Sequence, residues 1–216
     1  MLYAITDRKR LASEERLAIQ RLLANVATWA HAGVAWIQLR ETDLDAQAQI
    51  VLARQVLNII RQQPGSPTHL LINSRPDIAL AAGADGVHLT SATDTFKPGE
   101  VRAIFQAAGA RRPWISLACH TWQEAAAARD AGVDCILLAP VFGKTIQTAA
   151  GERQVQPGVG LEALAAACRA AAPTPVYALG GITGENAPQC MEAGASGIAA
   201  IRLLQGHSSD WSAFAD

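Results

Sequence analysis

Two stretches near the end of the chain carry residues suited to binding an anion. Gly180 and Gly181 stand in "ALGGIT", and Arg202 closes "GIAAIR". Adjacent glycines let a backbone approach a ligand closely, and the N–H groups that open a following helix can hold a negative group. A guanidinium adds a planar fork that matches phosphate. These residues therefore predict a phosphate site; the alternative is that the glycines only form a tight turn.

A histidine at the end of an apolar run is the candidate acid or base. His120 ends "WISLACH", and the alanine-rich segment "TWQEAAAARDAG" follows at once. Histidine titrates near neutral pH, so a histidine positioned at a strand end can donate or accept a proton. It can equally be a packed residue where a strand stops. Because successive strand side chains point to opposite faces, Cys119 is predicted to face away from His120.

The stretch "WIQLRE" places Gln38 and Arg40 on one face of a strand, because alternate residues point the same way. A charged side chain directed into an enclosed space is costly unless it meets an opposite charge. Arg40 is therefore predicted to contact a substrate anion, or else a structural partner such as Glu41.

Other polar residues follow further apolar runs. Asn73 and Arg75 come after "HLLIN", where Asn73 could contact a ligand or cap the next helix. His88, in the short run "GVHL", is interpreted as a buried core histidine. Lys144 is either an anion contact or a solvated residue. It lies in the irregular stretch 143–160, and a loop of this length is often functional, so we consider it a candidate lid.

The elements that must position these residues alternate regularly. Short apolar runs of strand length are separated by segments with apolar residues at helical spacing, which predicts parallel strands joined by helices. The runs are "LYAIT", "VAWIQLR", "HLLIN", "GVHL", "WISLACH", "CILLAPVF", "PVYALGGI" and "GIAAIR". An alanine-glycine pair precedes every second run, with glycines at Gly33, Gly83, Gly132 and Gly194, as expected for left-handed helix caps. This even repeat predicts an α/β fold, a (β/α)8 TIM barrel, over an open doubly wound sheet.

Composition limits the classes of partner. The chain has 216 residues, of which 50% are hydrophobic and 17% charged, and its net charge is −1. This predicts one domain over residues 1–216 with a large core, and no basic surface for nucleic acid or for an anionic membrane. The four cysteines show no metal-ligand spacing. They are interpreted as reduced core residues of a cytoplasmic protein, which we expect to be a homo-oligomer.

Taken in order, these motifs resemble a known family. The series "YAITD", "GVAWIQLRE", "LLINSRPDIALAAGADGVHL", "ACHTWQEAAAARDAGVDCILLAPVF", "PVYALGGITGENA" and "AGASGIAAIR" is similar to the thiamin phosphate synthase and TenI superfamily over nearly the whole chain. The resemblance implies a (β/α)8 barrel that binds a phosphorylated thiazole. It assigns the phosphate to the turn of Gly180, Gly181, Ile182 and Thr183 and to Ile201 and Arg202. Gln38, Arg40, Asn73 and Lys144 are the remaining candidate substrate-binding residues.

The chain departs from the synthase pattern at one subsite. Synthases use magnesium to help pyrophosphate leave, and they typically read Q-L-R-E-K, N-D-R and H-x-G-Q-x-D, with a serine two residues before the histidine that ends the fifth strand. Here Thr42 stands for the lysine, Ser74 and Thr93 stand for the two aspartates, and Ala118 stands for the serine. Asp94, one residue away, could replace one metal ligand.

These departures favour the second activity in the superfamily. TenI-like members tautomerise a thiazole phosphate carboxylate to its aromatic form without a metal, and His120 matches the histidine to which the acid/base role is assigned. Arg40 would then hold the substrate carboxylate as a bidentate pair. We therefore predict a thiazole tautomerase with no cofactor and no metal ligands. The alternatives are a thiamin phosphate synthase that uses Mg²⁺, and a non-catalytic binder of thiazole phosphate.

Overall fold

The apolar runs of the sequence form short parallel strands. The computed structural model describes residues 1–92, 96–147 and 153–205, with all their side chains except those of 144–147 and 153–156. The strands are β1 (Leu2–Ile5), β2 (Trp36–Leu39), β3 (His69–Asn73), β4 (Gly86–Leu89), β5 (Trp114–Cys119), β6 (Cys135–Leu138), β7 (Lys144–Gln147), β8 (Arg153–Gln156), β9 (Val176–Leu179) and β10 (Gly197–Ala200).

Helices follow the barrel strands in the predicted alternation. They are α1 (Glu15–His31), α2 (Ala46–Arg61), α3 (Pro76–Ala82), α4 (Pro98–Ala107), α5 (Trp122–Asp130), α6 (Gly160–Ala171), α7 (Ala187–Glu192) and α8 (Arg202–Gln205), with a 3-10 turn at Arg8–Arg10. Local capping fixes several starts. The Asp45 side chain accepts from the Ala48 N–H at the start of α2, and Thr121 accepts from Glu124 at the start of α5.

The sheet is a closed barrel with the order β1-β10-β9-β6-β5-β4-β3-β2. Closure is visible at β1, where Tyr3 is opposite Trp36 of β2 and Ala199 of β10. The predicted single-domain (β/α)8 barrel is confirmed, and the open doubly wound sheet is excluded. β9 and β10 are the seventh and eighth barrel strands.

Two apolar layers hold the barrel together, as strand alternation requires. Side chains such as Tyr3, Leu71 and Tyr177 fill the interior. Residues of the other face, among them Ile37 and Cys119, pack against the helices. Among the described residues no cysteine is in a disulfide, and burial raises the pKa of the Cys119 thiol to about 12.

The repeat glycines behave as predicted. Gly33, Gly83, Gly132 and Gly194 all have positive φ, between 69° and 98°. The stretch 143–160 is less irregular than predicted, because β7 and β8 pair antiparallel within it, with Lys144 opposite Gln156. Whether it closes over a ligand stays a prediction. Of the helices that the structure describes, none has the length and apolar character to cross a membrane.

Candidate functional site

A large cavity opens at the carboxyl ends of the barrel strands. Its volume is about 1340 Å³. Its wall contains every predicted site residue whose side chain the structure describes: Gln38, Arg40, Asn73, His120, Gly180, Gly181, Ile182, Thr183, Ile201 and Arg202. The Lys144 side chain lies outside the described residues. The barrel topology thus brings residues from both halves of the chain to one cavity, and their roles stay predictions.

Two side-chain amides in the cavity wall, those of Gln38 and Asn73, are hydrogen-bonded to each other. Gln38 Nε2 donates to Asn73 Oδ1 at 2.8 Å, and the Tyr3 hydroxyl donates to Gln38 Oε1 at 3.3 Å. Asn73 therefore does not cap α3, whose N-cap residue is Arg75. Arg75 itself is exposed, pairs with Asp77 at 2.5 Å and lies outside the cavity wall.

His88 is buried and hydrogen-bonded, as predicted, but it also belongs to the cavity wall. Its Nδ1 lies 2.7 Å from Ser116 Oγ, which is 2.9 Å from the Tyr3 hydroxyl. Burial, and secondarily the positive charge of Arg40, lowers the pKa of His88 to about 3. The ring is therefore neutral at pH 7. Sequence inspection missed Tyr3 and Ser116, although strand alternation places Ser116 on the face of His120.

Of the two kinds of partner predicted for Arg40, a substrate anion or a residue such as Glu41, the structure excludes Glu41. Glu41 accepts hydrogen bonds from the Arg8 N–H and from Arg8 Nη1, at 3.1 and 3.0 Å, so it is not the partner of Arg40. The backbone N–H of Arg40 donates to Thr6 Oγ1 at 2.9 Å. Within the described parts of the chain the Arg40 guanidinium makes no ion pair, and Arg202 makes none either. Both arginines line the cavity.

The glycine turn after β9 requires glycine at both positions. Gly180 and Gly181 have φ values of 98° and 66°, in the left-handed region. A Cβ on Gly180 would lie 2.7 Å from the Pro140 Cα, and one on Gly181 would lie 2.7 Å from the Phe142 Cβ. The turn thus packs against the segment after β6 and also lines the cavity, so the tight-turn role is present whether or not an anion binds.

The helix after this turn does not begin directly at the glycines. α7 starts at Ala187, because the proline at position 188 is tolerated only in a first helical turn. Between the glycines and α7, Asn186 Oδ1 accepts from the Thr183 N–H at 2.8 Å, and Asn186 Nδ2 donates to the Gly181 carbonyl at 2.9 Å. An anion at this turn would therefore meet N–H groups of the turn itself rather than those of α7.

Replacing Gly180 tests how tightly this turn is constrained. Gly180→Ala is expected to lower the free energy of unfolding by about 2–4 kcal/mol, since backbone strain and a clash with Pro140 add. Gly109→Ala is the matched control, because Gly109 also has positive φ, at 65°, but an added Cβ would meet nothing within 4 Å. Urea unfolding measures both variants. Equal losses would show that the contact with Pro140 does not constrain the turn.

His120 is exposed at the cavity and makes two ring contacts. Its Nδ1 is 2.5 Å from the Ala139 carbonyl oxygen, and its Nε2 is 2.9 Å from Ser91 Oγ. Cys119 is buried on the opposite face, as alternation predicted. Sequence inspection did not single out Ser91; it follows the fourth barrel strand, a position at which barrel enzymes carry functional residues.

The described residues form no cluster of side chains that could hold a magnesium ion by itself. In residues 1–92, 96–147 and 153–205, no three His, Cys, Asp or Glu side chains are grouped so that they could hold a metal. At the first synthase aspartate position stands Ser74, and the neighbouring Asn73 oxygen already accepts from Gln38. Magnesium prefers carboxylate oxygens, which this part of the wall does not offer. Thr93 and Asp94 lie outside the described residues.

Comparison with known proteins gives one consistent result. A sequence model described as thiamine monophosphate synthase matches residues 2–204. A putative thiamine-phosphate synthase of Geobacter sulfurreducens is 38% identical, over 94% of this chain and 85% of that protein. A thiamine-phosphate synthase of Methanoregula boonei is 34% identical, over 95% of this chain and 85% of that protein.

A solved structure agrees in fold. Thiamine phosphate pyrophosphorylase from Pyrococcus furiosus superposes with a TM-score of 0.75 at 24% identity, covering 99% of this chain and 91% of that one. These matches span the complete barrel and include the strand ends that form the cavity. The chain belongs to the thiamine monophosphate synthase family of enzymes.

Proposed function

We propose that the protein is a thiamine-phosphate synthase, which joins a pyrimidine carried as its diphosphate to a phosphorylated thiazole and releases pyrophosphate. The names of the relatives support this reaction over the tautomerisation favoured by the sequence motifs. The observation that carries the proposal is the cavity with Arg40 and Arg202, which make no ion pair with any residue that the structure describes. Its volume of about 1340 Å³ exceeds the roughly 300–1,000 Å³ of a pocket for one small ligand.

The arrangement of the arginines fits two separate anions. Arg40 follows β2 and Arg202 follows β10, and β1 lies between these strands. With neighbouring strands about 4.8 Å apart, the two residues start roughly 10 Å from each other. Arg202 and the Gly180–Gly181 turn would hold the thiazole phosphate. Arg40 would face the diphosphate of the pyrimidine.

In this reaction the bond from the pyrimidine methylene carbon to the diphosphate oxygen breaks, and the carbon bonds to the thiazole. The electron pair leaves with pyrophosphate, so negative charge develops on the leaving group. A guanidinium placed there stabilises this charge in the transition state. Gln38 and Asn73 offer amide groups that can orient a heterocycle by hydrogen bonds.

The test is direct. The protein is incubated with both substrates, with and without Mg²⁺, and thiamine phosphate and pyrophosphate are measured. We expect equal amounts of the two products. No thiamine phosphate at saturating Mg²⁺ would overturn the proposal.

Arg202→Gln tests the phosphate end of the cavity. Loss of a charge-assisted contact should raise the KM for thiazole phosphate about 10- to 100-fold while kcat changes little, because this contact exists in both ground and transition states. Arg111→Gln is the control, since Arg111 is exposed and lies outside the cavity wall. Steady-state kinetics with varied thiazole phosphate measure KM and kcat for both variants. An unchanged KM would remove Arg202 from the site.

A second candidate is the metal-independent tautomerisation of thiazole phosphate carboxylate. It is favoured by Ser74 at a metal-ligand position and by His120 in the cavity wall. Following the non-aromatic substrate by NMR without added metal tests it. Failure of both reactions with retained binding of thiazole phosphate would leave a non-catalytic binder.

A further inference from the structure

The His120 side chain joins the two strand ends that flank its own strand. Ser91 follows β4 and Ala139 follows β6, and β4 and β6 are the neighbours of β5 in the barrel. Ser91 Oγ is 2.9 Å from His120 Nε2, and the Ala139 carbonyl oxygen is 2.5 Å from His120 Nδ1. The imidazole is therefore held at both nitrogens, by groups on opposite sides.

These partners determine where the ring carries its proton. A carbonyl oxygen can only accept a hydrogen bond, so Nδ1 must be the protonated nitrogen. In the neutral ring Nε2 is then an acceptor, and the Ser91 hydroxyl donates to it. Orientation of a base by a hydrogen bond on its far nitrogen is the arrangement that fixes a histidine tautomer in proton-transfer sites.

The backbone of His120 is restrained as well. Its N–H donates to Glu124 Oε2 at 2.7 Å, which ties the end of β5 to the first turn of α5. Two torsions of the side chain thus remain to be fixed, and the contacts with Ser91 and Ala139 fix them. Without Ser91 the ring would be anchored at Nδ1 alone and could swing about that bond.

We infer that Ser91 is a positioning residue for His120. It holds the imidazole across the edge of the cavity in the tautomer protonated at Nδ1, with the Nε2 lone pair directed at the Ser91 hydroxyl. Ser91 itself is not part of the cavity wall, whereas His120 is. The inference rests on the second candidate function, because His120 is the acid or base of the tautomerisation.

The test combines a spectroscopic and a kinetic measurement on the full chain. Ser91→Ala removes the donor, and Ser91→Thr retains a hydroxyl. Ser13→Ala is the matched control, because Ser13 is exposed and is not part of the cavity wall. The chain has 5 histidines, so ¹⁵N-histidine labelling gives few resonances, and the one missing in His120→Asn identifies His120.

In Ser91→Ala we expect the Nε2 resonance of His120 to move toward that of a ring nitrogen without a hydrogen bond. We expect kcat of the tautomerisation to fall about tenfold, which is the effect of one lost hydrogen bond, while the KM for its substrate stays unchanged. Ser91→Thr should keep the wild-type resonance and most of kcat, and Ser13→Ala should change neither.

An unchanged Nε2 resonance in Ser91→Ala would overturn the inference. A shifted resonance with an unchanged kcat would overturn it too, since the bond would then not position a residue that the reaction needs. If the wild-type protein does not catalyse the tautomerisation, that candidate function fails and with it the role of His120. The NMR comparison would still show whether Ser91 holds the ring.

Discussion

Arg8→Met is expected to lower the free energy of unfolding by about 3–5 kcal/mol. The Arg8 and Glu41 side chains are 3% and 2% exposed, and Arg8 Nη1 lies 3.0 Å from Glu41 Oε2. Arg8 also makes a two-pronged contact with Asp43, at 2.8 and 2.7 Å. Removing the cation leaves Glu41 buried without its opposite charge, and breaking a buried pair in this way typically costs about this amount. Urea unfolding at pH 7 measures the loss.

Arg10→Met provides the control for Arg8→Met. Arg10 lies in the same 3-10 turn but is exposed, and within the described residues it has no ion pair. Its replacement should change stability by less than about 0.5 kcal/mol. A loss for Arg8→Met as small as that for Arg10→Met would show that Glu41 does not depend on Arg8.

The contact between Arg8 and Glu41 also predicts how the stability difference between the wild type and Arg8→Met changes with pH. Burial raises the pKa of Glu41 above its ordinary 4.5, and hydrogen bonds from Thr6 and Arg8 oppose this. Without Arg8 that pKa rises further, so the folded variant binds the proton more tightly and gains stability as pH falls. Arg8 also lowers the pKa of Asp43, a contribution that the wild type loses in acid. The Glu41 effect should narrow the difference in stability between the two proteins as pH falls from 7, and the Asp43 effect should add to it below the ordinary carboxyl pKa of 3.8.

The barrel could be predicted because its signals are local and repeated. Strand-length apolar runs, helix-period segments and the glycines at 33, 83, 132 and 194 each follow from steric and burial rules that act over a few residues. The topology then places every strand end at one rim, so Gln38, Arg40, His120 and Arg202 could be predicted to share a cavity. Alternation along β5 likewise placed His120 and Cys119 on opposite faces.

Pairings between distant segments could not be predicted in the same way. Arg8 stands in "TDRKR", and a basic run of this kind is usually exposed to solvent. Arg8 is nevertheless buried, because the loop after β2 brings Glu41 and Asp43 to it. The contact of Ser91 with His120 joins loops 29 residues apart. The turn between the glycines and α7 is held by Asn186, which accepts from the Thr183 N–H, and glycine spacing alone does not reveal this contact.

Arg40→Met is expected to lower kcat of the synthase reaction by about 10²–10³-fold. Arg40 lines the cavity, and its neighbour Glu41 is already paired with Arg8. A cation that faces the leaving pyrophosphate acts where charge develops, so its loss affects the transition state more than the bound substrate. The KM for the pyrimidine diphosphate should change less than kcat. Steady-state kinetics at saturating thiazole phosphate separate the two parameters.

Two further variants show whether the loss in Arg40→Met comes from the cavity. Arg75→Met, at the same end of the barrel, removes an arginine that is paired with Asp77 and lies outside the cavity wall, so it should leave kcat within about twofold. Arg40→Lys should recover only part of the activity, because an ammonium lacks the planar fork that matches phosphate oxygens. Wild-type kcat in Arg40→Met would place the leaving group elsewhere in the cavity.

The neighbouring His88 reports independently on the position of the Arg40 charge. Burial and then Arg40 hold the pKa of His88 at about 3, so loss of the positive charge in Arg40→Met should raise that pKa, while Arg75→Met should not. NMR titration of the His88 ring measures the change. A raised His88 pKa together with unchanged kcat would mean that the Arg40 charge reaches the cavity floor but does not act on the leaving group. A fall in kcat together with the raised pKa connects both effects to one guanidinium directed into the barrel mouth.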